Sequence, residues 1–264
     1  MDKNKIPISL VLQWVYCPRR AWLEAAGERT DTYQMQVGYN AHRNVDDPMT
    51  KRANEIRALE VHGNANVSGG LIRELLWRDA PILWCTGLGR LTGWAVSSCG
   101  PNGKTRIDQH VASHEGRLDF AREFISSKIA NQATQLRRSG VSKEVISKMR
   151  EIQALAGAAE RWQDVLGYEG DAASIYFGNW PLLLKESQRC LWGWGGRSGR
   201  PAKDLLNAML NYAYSLLLAD SVRAVIACGL DPHAGFLHSS GRNKPALALD
   251  LMEEFRAPIA DSVV

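Results

Sequence analysis

Residues Leu118–Arg138, LDFAREFISSKIANQATQLRR, decide how the rest of the chain reads. Leu118, Ala121, Ile125, Ile129, Ala133 and Leu136 recur at the spacing that puts side chains on one face of an α-helix. Arg117, Arg122, Lys128, Arg137 and Arg138 decorate the same helix. A long helix with one apolar stripe needs other helices to bury it. The chain supplies them. Ile152–Leu166 has helical spacing and is expected to end at Gly167, so that Glu169 would start a new helix. Lys203–Gly229 is apolar on more than one face, as a central buried helix or helix pair would be, and Gly229-Leu-Asp-Pro is expected to stop it. Ser239–Lys244 reads as a polar turn, and Ala248–Phe255 begins a last helix.

Upstream the pattern differs. Leu71–Trp77 reads as helix, Ile82–Cys85 as a short buried strand, and Gly87–Gly89 as a turn before Arg90–Val96. Asn64–Gly70 looks like a linker or a join. Residues 9–27 read as a helix that Ser9 can cap and Pro18 can kink, with a second helical stretch near Gly38–Leu59.

The 264 residues suffice for one large domain or two smaller ones, and 45% hydrophobic with 23% charged residues is ordinary for a globular protein. Tyr214–Ala219 and Ala224–Cys228 are too short to cross a bilayer, and residues 1–20 lack a secretory pattern, so a cytoplasmic location and no membrane partner are expected. The net charge of +4 says little until it is resolved along the chain. From Lys104 to Arg150 there are ten Lys and Arg against five Asp and Glu, and Lys185 to Asp204 carries five against two. Such segments suit an anionic partner such as nucleic acid, or simply a solvated helix face. The five cysteines contain no Cys-x-x-Cys pair, which excludes a zinc ribbon or a redox motif.

Three places gather side chains that can hold a metal. Glu169 lies in Gly167–Phe177, GYEGDAASIYF. His233 and His238 lie in the loop after Asp231. On the last helix Asp250 stands three residues before Glu253 and four before Glu254, so a pair shares one face. Carboxylates with one imidazole suit Mg²⁺ or Mn²⁺ better than structural zinc. Taken separately, each has a plainer reading as a helix-end charge, a solvated pair or a surface histidine. Spacing alone does not assemble them.

Three blocks in order do. GYEGDAASIYF, Arg200–Leu216 (RPAKDLLNAMLNYAYSL) and Gly229–Pro258 (GLDPHAGFLHSSGRNKPALALDLMEEFRAP) resemble successive signatures of the CRISPR-associated integrase-endonuclease family. Arg117–Arg138 resembles that family's basic helix, and Trp84–Trp94 the end of its N-terminal β-domain. The resemblance spans roughly residues 71–264. It implies a mainly α fold: a helical catalytic domain (113–264, shortened at its C-terminus) preceded by the remnant of the β-domain (71–112). It implies Glu169, His238, Asp250 and Glu253 as catalytic metal ligands for Mg²⁺ or Mn²⁺, with Asp250 and Glu253 either or both on the ion and His233 the weaker histidine. Arg122, Lys128, Arg137, Arg138, Asn207 and Tyr212 are the implied DNA-binding residues. Implied partners are double-stranded DNA (prespacer and CRISPR repeat), a small ferredoxin-fold CRISPR adaptation protein, and a second copy in a homodimer. The implied activity is insertion of short DNA fragments as new spacers into a CRISPR array, with a non-catalytic DNA-binding or assembly role as the alternative.

Residues 1–70 resemble something else. Pro7-Ile-Ser through Tyr16-Cys-Pro-Arg-Arg-Ala-Trp-Leu-Glu looks like the opening of the CRISPR-associated RecB-like exonuclease, with Cys17 matching one of four thiolates on its 4Fe–4S cluster and His42 its metal-binding histidine. That enzyme also needs a Glu-x-Lys pair, and none occurs in this chain. One thiolate cannot hold a cluster that needs four. This part is therefore expected to be an inactive fragment, empty of iron.

Overall fold

The computed structural model describes residues 57–99, 103–184, 187, 193–199, 201–239, 241 and 244–264. The helix expected at 9–27, Cys17 and His42 lie outside them. The chain is mainly α with one small sheet, and it divides into two compact units. One comprises the described residues up to Ile107 together with Ala219–Asp231, and the other comprises Asp108–Leu218 and Pro232–Val264.

In the first unit, β1 (Leu59–His62), β2 (Ile82–Cys85) and β3 (Leu91–Ala95) form a three-stranded sheet in that order. β1 and β2 run parallel, connected through α1 (Gly69–Trp77), and β2 and β3 are antiparallel. Strand, turn and strand over 82–95 fall where the sequence puts them. The stretch 64–70 is more than a join: Ser68 accepts from Leu71 N and caps α1, which opens at Gly69. The boundary expected at residue 70 thus lies inside a folded unit, because β1 is hydrogen bonded to β2 across it. Leu59, Val61, Leu71, Leu75, Ala80 and Ile82 form this unit's core. Burial, with Glu60 and Asp220 nearby, pushes the Cys85 thiol up to about 11, so it packs as an inert apolar group.

The second unit is built around α3 (Leu118–Arg138). In chain order α2 (Gly103–Glu115, in this unit from Asp108) precedes it, and α4 (Lys143–Ala158), α5 (Trp162–Gly178), α6 (Leu205–Ala227, in this unit to Leu218) and α7 (Ala246–Phe255) follow. α3 packs on α4, α5 and α7. Its stripe is wider than the sequence suggests. Ala121, Ile125, Ile129, Ala133 and Leu136 are buried, and so are Lys128 and Gln132. Gly140, at φ 76°, turns the chain out of α3, and Ser142 caps α4.

The expected helix end at Gly167 is not there. The break falls earlier, at Ala159–Arg161, where Ala159 is extended, and α5 then runs unbroken through Gly167 and Gly170. A glycine inside a helix costs about 1 kcal/mol relative to alanine. Burial of Val165, Ala172 and Tyr176 on the core outweighs that. Glu169 consequently stands mid-helix, aimed by the helix register rather than by a cap. α6 is one continuous helix, and Gly229 (φ 75°) ends it as expected.

After α7 the chain takes a π-helical turn, Arg256–Asp261. Its last residue, Asp261, is buried and accepts from Tyr176 Oη (2.9 Å) and Tyr214 Oη (2.6 Å), joining α5, α6 and the chain end. Burial pushes its carboxyl up to about 6 despite those two hydroxyls and the positive charges of Arg256 and Arg197. A carboxyl whose pKa rises on folding, here from about 4, contributes most to stability when protonated. Its contribution is complete below about pH 4 and is lost as pH climbs through about 6. Asp261→Asn, which cannot ionise, should gain on the wild type by about 2 kcal/mol between pH 4 and pH 7 in urea unfolding. A pH-independent difference between the two proteins would contradict this.

Candidate metal and catalytic site

The site is organised by Asp250. It sits on the buried face of α7 and is fully buried. Its Oδ2 accepts from Phe236 N (2.6 Å) and Leu237 N (2.9 Å), and its Oδ1 accepts from His238 N (2.8 Å). His238 Nδ1 is 2.7 Å from the same Oδ1. A carboxylate only accepts, so Nδ1 carries a proton, and Nε2 presents a lone pair whenever the ring is neutral. One side chain thus fixes a loop, a ring orientation and a tautomer.

Gly235 makes the close approach possible. A Cβ there would lie 2.7 Å from the Ala246 backbone and side chain and 2.8 Å from Asp250 Oδ2. Only glycine lets the loop close onto α7 so tightly.

His238 Nε2 faces Glu253, 3.9 Å from its Oε1. Glu253 is buried one turn beyond Asp250, and Arg256 Nη2 lies 3.0 Å from the same Oε1. Across from it, Lys128 Nζ on α3 is 2.5 Å from Glu169 Oε1 and 2.7 Å from Glu253 Oε2. Burial alone would raise the Glu253 carboxyl; the charges of Lys128, Arg256 and His238 together outweigh it and hold the carboxyl below its ordinary value. Glu253 Oε2 lies within ion-pair distance of Lys128 yet lacks a well-directed hydrogen bond. The distance decides the electrostatics, and the missing alignment leaves a lone pair open. Glu169 is half-buried.

Glu169 and Glu253 therefore meet at one cation, Lys128, and the Nε2 edge of His238 faces Glu253. Among the described residues, no three His, Cys, Asp or Glu side chains are close enough as placed to hold a metal together. The donors nonetheless fit a hard divalent ion: two carboxylates, one with an open lone pair, and one imidazole nitrogen. Asp250 does not belong to that set, since backbone amides and His238 take up its oxygens. His233 points elsewhere, its Nδ1 3.0 Å from Lys244 O.

The six expected DNA contacts fare differently. Arg137 and Arg138 are exposed on the last turn of α3, and Tyr212 is exposed on α6. Arg122 is partly buried and donates to Ala159 O, holding the break between α4 and α5. Asn207 is buried. Its Oδ1 accepts from Ser198 N and Arg197, and its Nδ2 donates to Gly196 O and Asp204, so it shapes a loop and cannot reach DNA. Lys128 is inside the site, not on the surface. The sequence carries a signal for it: Lys128 falls seven residues after Ala121 and three after Ile125, within the apolar face. The role of Arg256 has no comparable signal.

Two glutamates carried on helices and one histidine carried on a loop thus surround a buried lysine and an arginine. The family is CRISPR associated protein Cas1: its model matches residues 42–264, and the chain belongs to it. A CRISPR-associated endonuclease Cas1 of Thermus thermophilus is 36% identical over 212 residues, covering 80% of this chain and 64% of that protein. A CRISPR-associated exonuclease Cas4/endonuclease Cas1 fusion of Geobacter sulfurreducens is 35% identical over 225 residues, covering 81% of this chain and 40% of the fusion. The chain thus spans less than two thirds of either relative. Among solved structures, a casposase bound to integration product aligns with a TM-score of 0.61 and 26% identity, over 75% of this chain and 57% of that one.

Two substitutions test the clamp. Asp250→Asn puts an amide group against backbone donors, and Gly235→Ala forces a Cβ into α7. Each should lower unfolding free energy in urea, by about 3 kcal/mol and about 2 kcal/mol respectively. In both, the His238 ring ¹⁵N signals should change from a single Nδ1–H tautomer to a mixture. Wild-type-like ring signals in Asp250→Asn would show that something else holds the histidine.

Proposed function

We propose that this chain carries the active centre of a metal-dependent DNA endonuclease and integrase of CRISPR adaptation, inserting short DNA fragments as new spacers into a CRISPR array. The observation that carries this reading is the meeting of Glu169 and Glu253 at one cation, with His238 Nε2 facing Glu253, in a chain whose family match covers all three. Mg²⁺ or Mn²⁺ bound there would lower the pKa of an attacking 3′-hydroxyl and neutralise charge gathering on the phosphate.

The chain's own residues do the rest. Asp250 holds the His238 ring so that Nε2 faces the reacting centre. Arg256 steadies Glu253. Arg137 and Arg138 hold the DNA backbone by charge, which positions the duplex without reading its sequence. Tyr212 offers an exposed ring with a hydroxyl on the same unit. The substrates in this reading are double-stranded DNA of the prespacer and the CRISPR repeat. The macromolecular partners are a small ferredoxin-fold adaptation protein and a second copy of the chain. Similarity to a casposase bound to integration product supports strand transfer as the reaction type.

Within residues 1–70 we infer that the part ahead of β1 descends from the exonuclease half of a fusion, supported by similarity to such a fusion over 90% of this chain. The family match begins at residue 42 and so overlaps this segment. Without a Glu-x-Lys pair it should contribute no nuclease activity of its own.

Glu169→Ala removes a ligand and leaves the exposed arginines alone. Strand transfer into a repeat-bearing plasmid with Mn²⁺ should fall by about a thousandfold or more, while duplex affinity in a gel shift changes by less than about threefold. Undiminished strand transfer would refute the assignment. Absence of strand transfer in the wild type under every divalent ion would favour a non-catalytic DNA-binding role.

A further inference from the structure

Among the described residues Lys128 is the one buried lysine or arginine, with 5% of its surface exposed. Lysine is almost never buried without a partner, and this one has two, Glu169 and Glu253. Remove the ammonium and two carboxylates converge with Arg256 and the His238 ring beside Glu253 and no cation between them. That is an expensive arrangement in a site of low polarisability. Folding therefore needs a positive charge at this point whether or not an ion is present.

A divalent ion held by Glu169 and Glu253 would use the oxygens that Lys128 now occupies. Ammonium and metal do not sit there together, because two cations a few ångströms apart repel and compete for the same two carboxylates. Resting on the metal-dependent reading above, we propose that Lys128 is a built-in placeholder cation that the divalent ion must displace on entry. The lysine keeps the empty site folded and sets how tightly the ion is held.

The exchange makes the ion's affinity the difference between two cation-binding equilibria. Deleting the internal competitor must tighten binding of the external one. Lys128→Gln keeps a polar group of similar reach without the charge. Mn²⁺ titration of the full chain, following free Mn²⁺ by electron paramagnetic resonance, should give a Kd at least about tenfold lower in Lys128→Gln than in wild type. The same variant without metal should melt at lower temperature and regain more stability on adding Mn²⁺. An unchanged or higher Kd overturns the proposal.

Should Lys128→Gln fail to fold, the wild type still decides. The Lys128 ammonium signal in ¹⁵N NMR should move or vanish as stoichiometric Mg²⁺ is added; a signal unmoved at saturating Mg²⁺ overturns the proposal. Glu169→Gln separates the metal site from the placeholder. If wild type and both variants all bind no Mn²⁺, the metal reading falls and the placeholder with it. If wild type binds, Glu169→Gln does not, and Lys128→Gln binds like wild type, only the placeholder falls.

Discussion

The site depends on one buried carboxylate that does not itself face the reacting centre. Asp250 takes three consecutive backbone N–H groups and a ring nitrogen onto two oxygens. A loop from Phe236 to His238 has no regular partner for those amides, and buried unpaired donors cost about 1–3 kcal/mol each. Docking onto α7 satisfies all of them at once. The same contact orients His238, so loop stability and ring placement are one event. The absence of a side chain at Gly235 is what lets the loop come close enough.

Charge balance then joins α7 to the other helices. Lys128 from α3 meets Glu169 from α5 and Glu253 from α7, and Arg256 backs Glu253 from the π-helical turn. Three helices are thereby tied at their polar centre in the unit whose apolar residues pack α3 against α4 and α5. Asp261 repeats the device at the chain end, with tyrosine hydroxyls in place of cations. Burial is tolerated at both points because the polar groups meet partners.

Periodicity is enough to read some of the elements. The stripe of α3, the apolar α6 stopped by Gly229, and the strand–turn–strand at 82–95 follow from local pattern alone. Gly167 misleads because propensity is a weak prior, and the packing of Val165 and Tyr176 carries α5 straight through it. Glu169, His238 and Glu253 are legible by resemblance; spacing cannot bring together residues so far apart in the chain. Asp250 and Glu253 look equivalent on one helix face, and only the loop amides distinguish a residue that positions the histidine from one that faces the ion. Lys128 and Asn207 read as surface contacts because charged and amide side chains usually lie outside. Their burial depends on partners in Glu169, Glu253 and the Gly196–Ser198 loop, which no local window contains.

The most direct measurement is anomalous diffraction from crystals of this chain soaked in Mn²⁺. A single strong peak is expected among Glu169, His238 Nε2 and Glu253, with Asp250 still bonded to the amides of residues 236–238 and not touching the ion. An ion bound by Asp250, or a His238 ring turned away from the peak, would contradict the assignment.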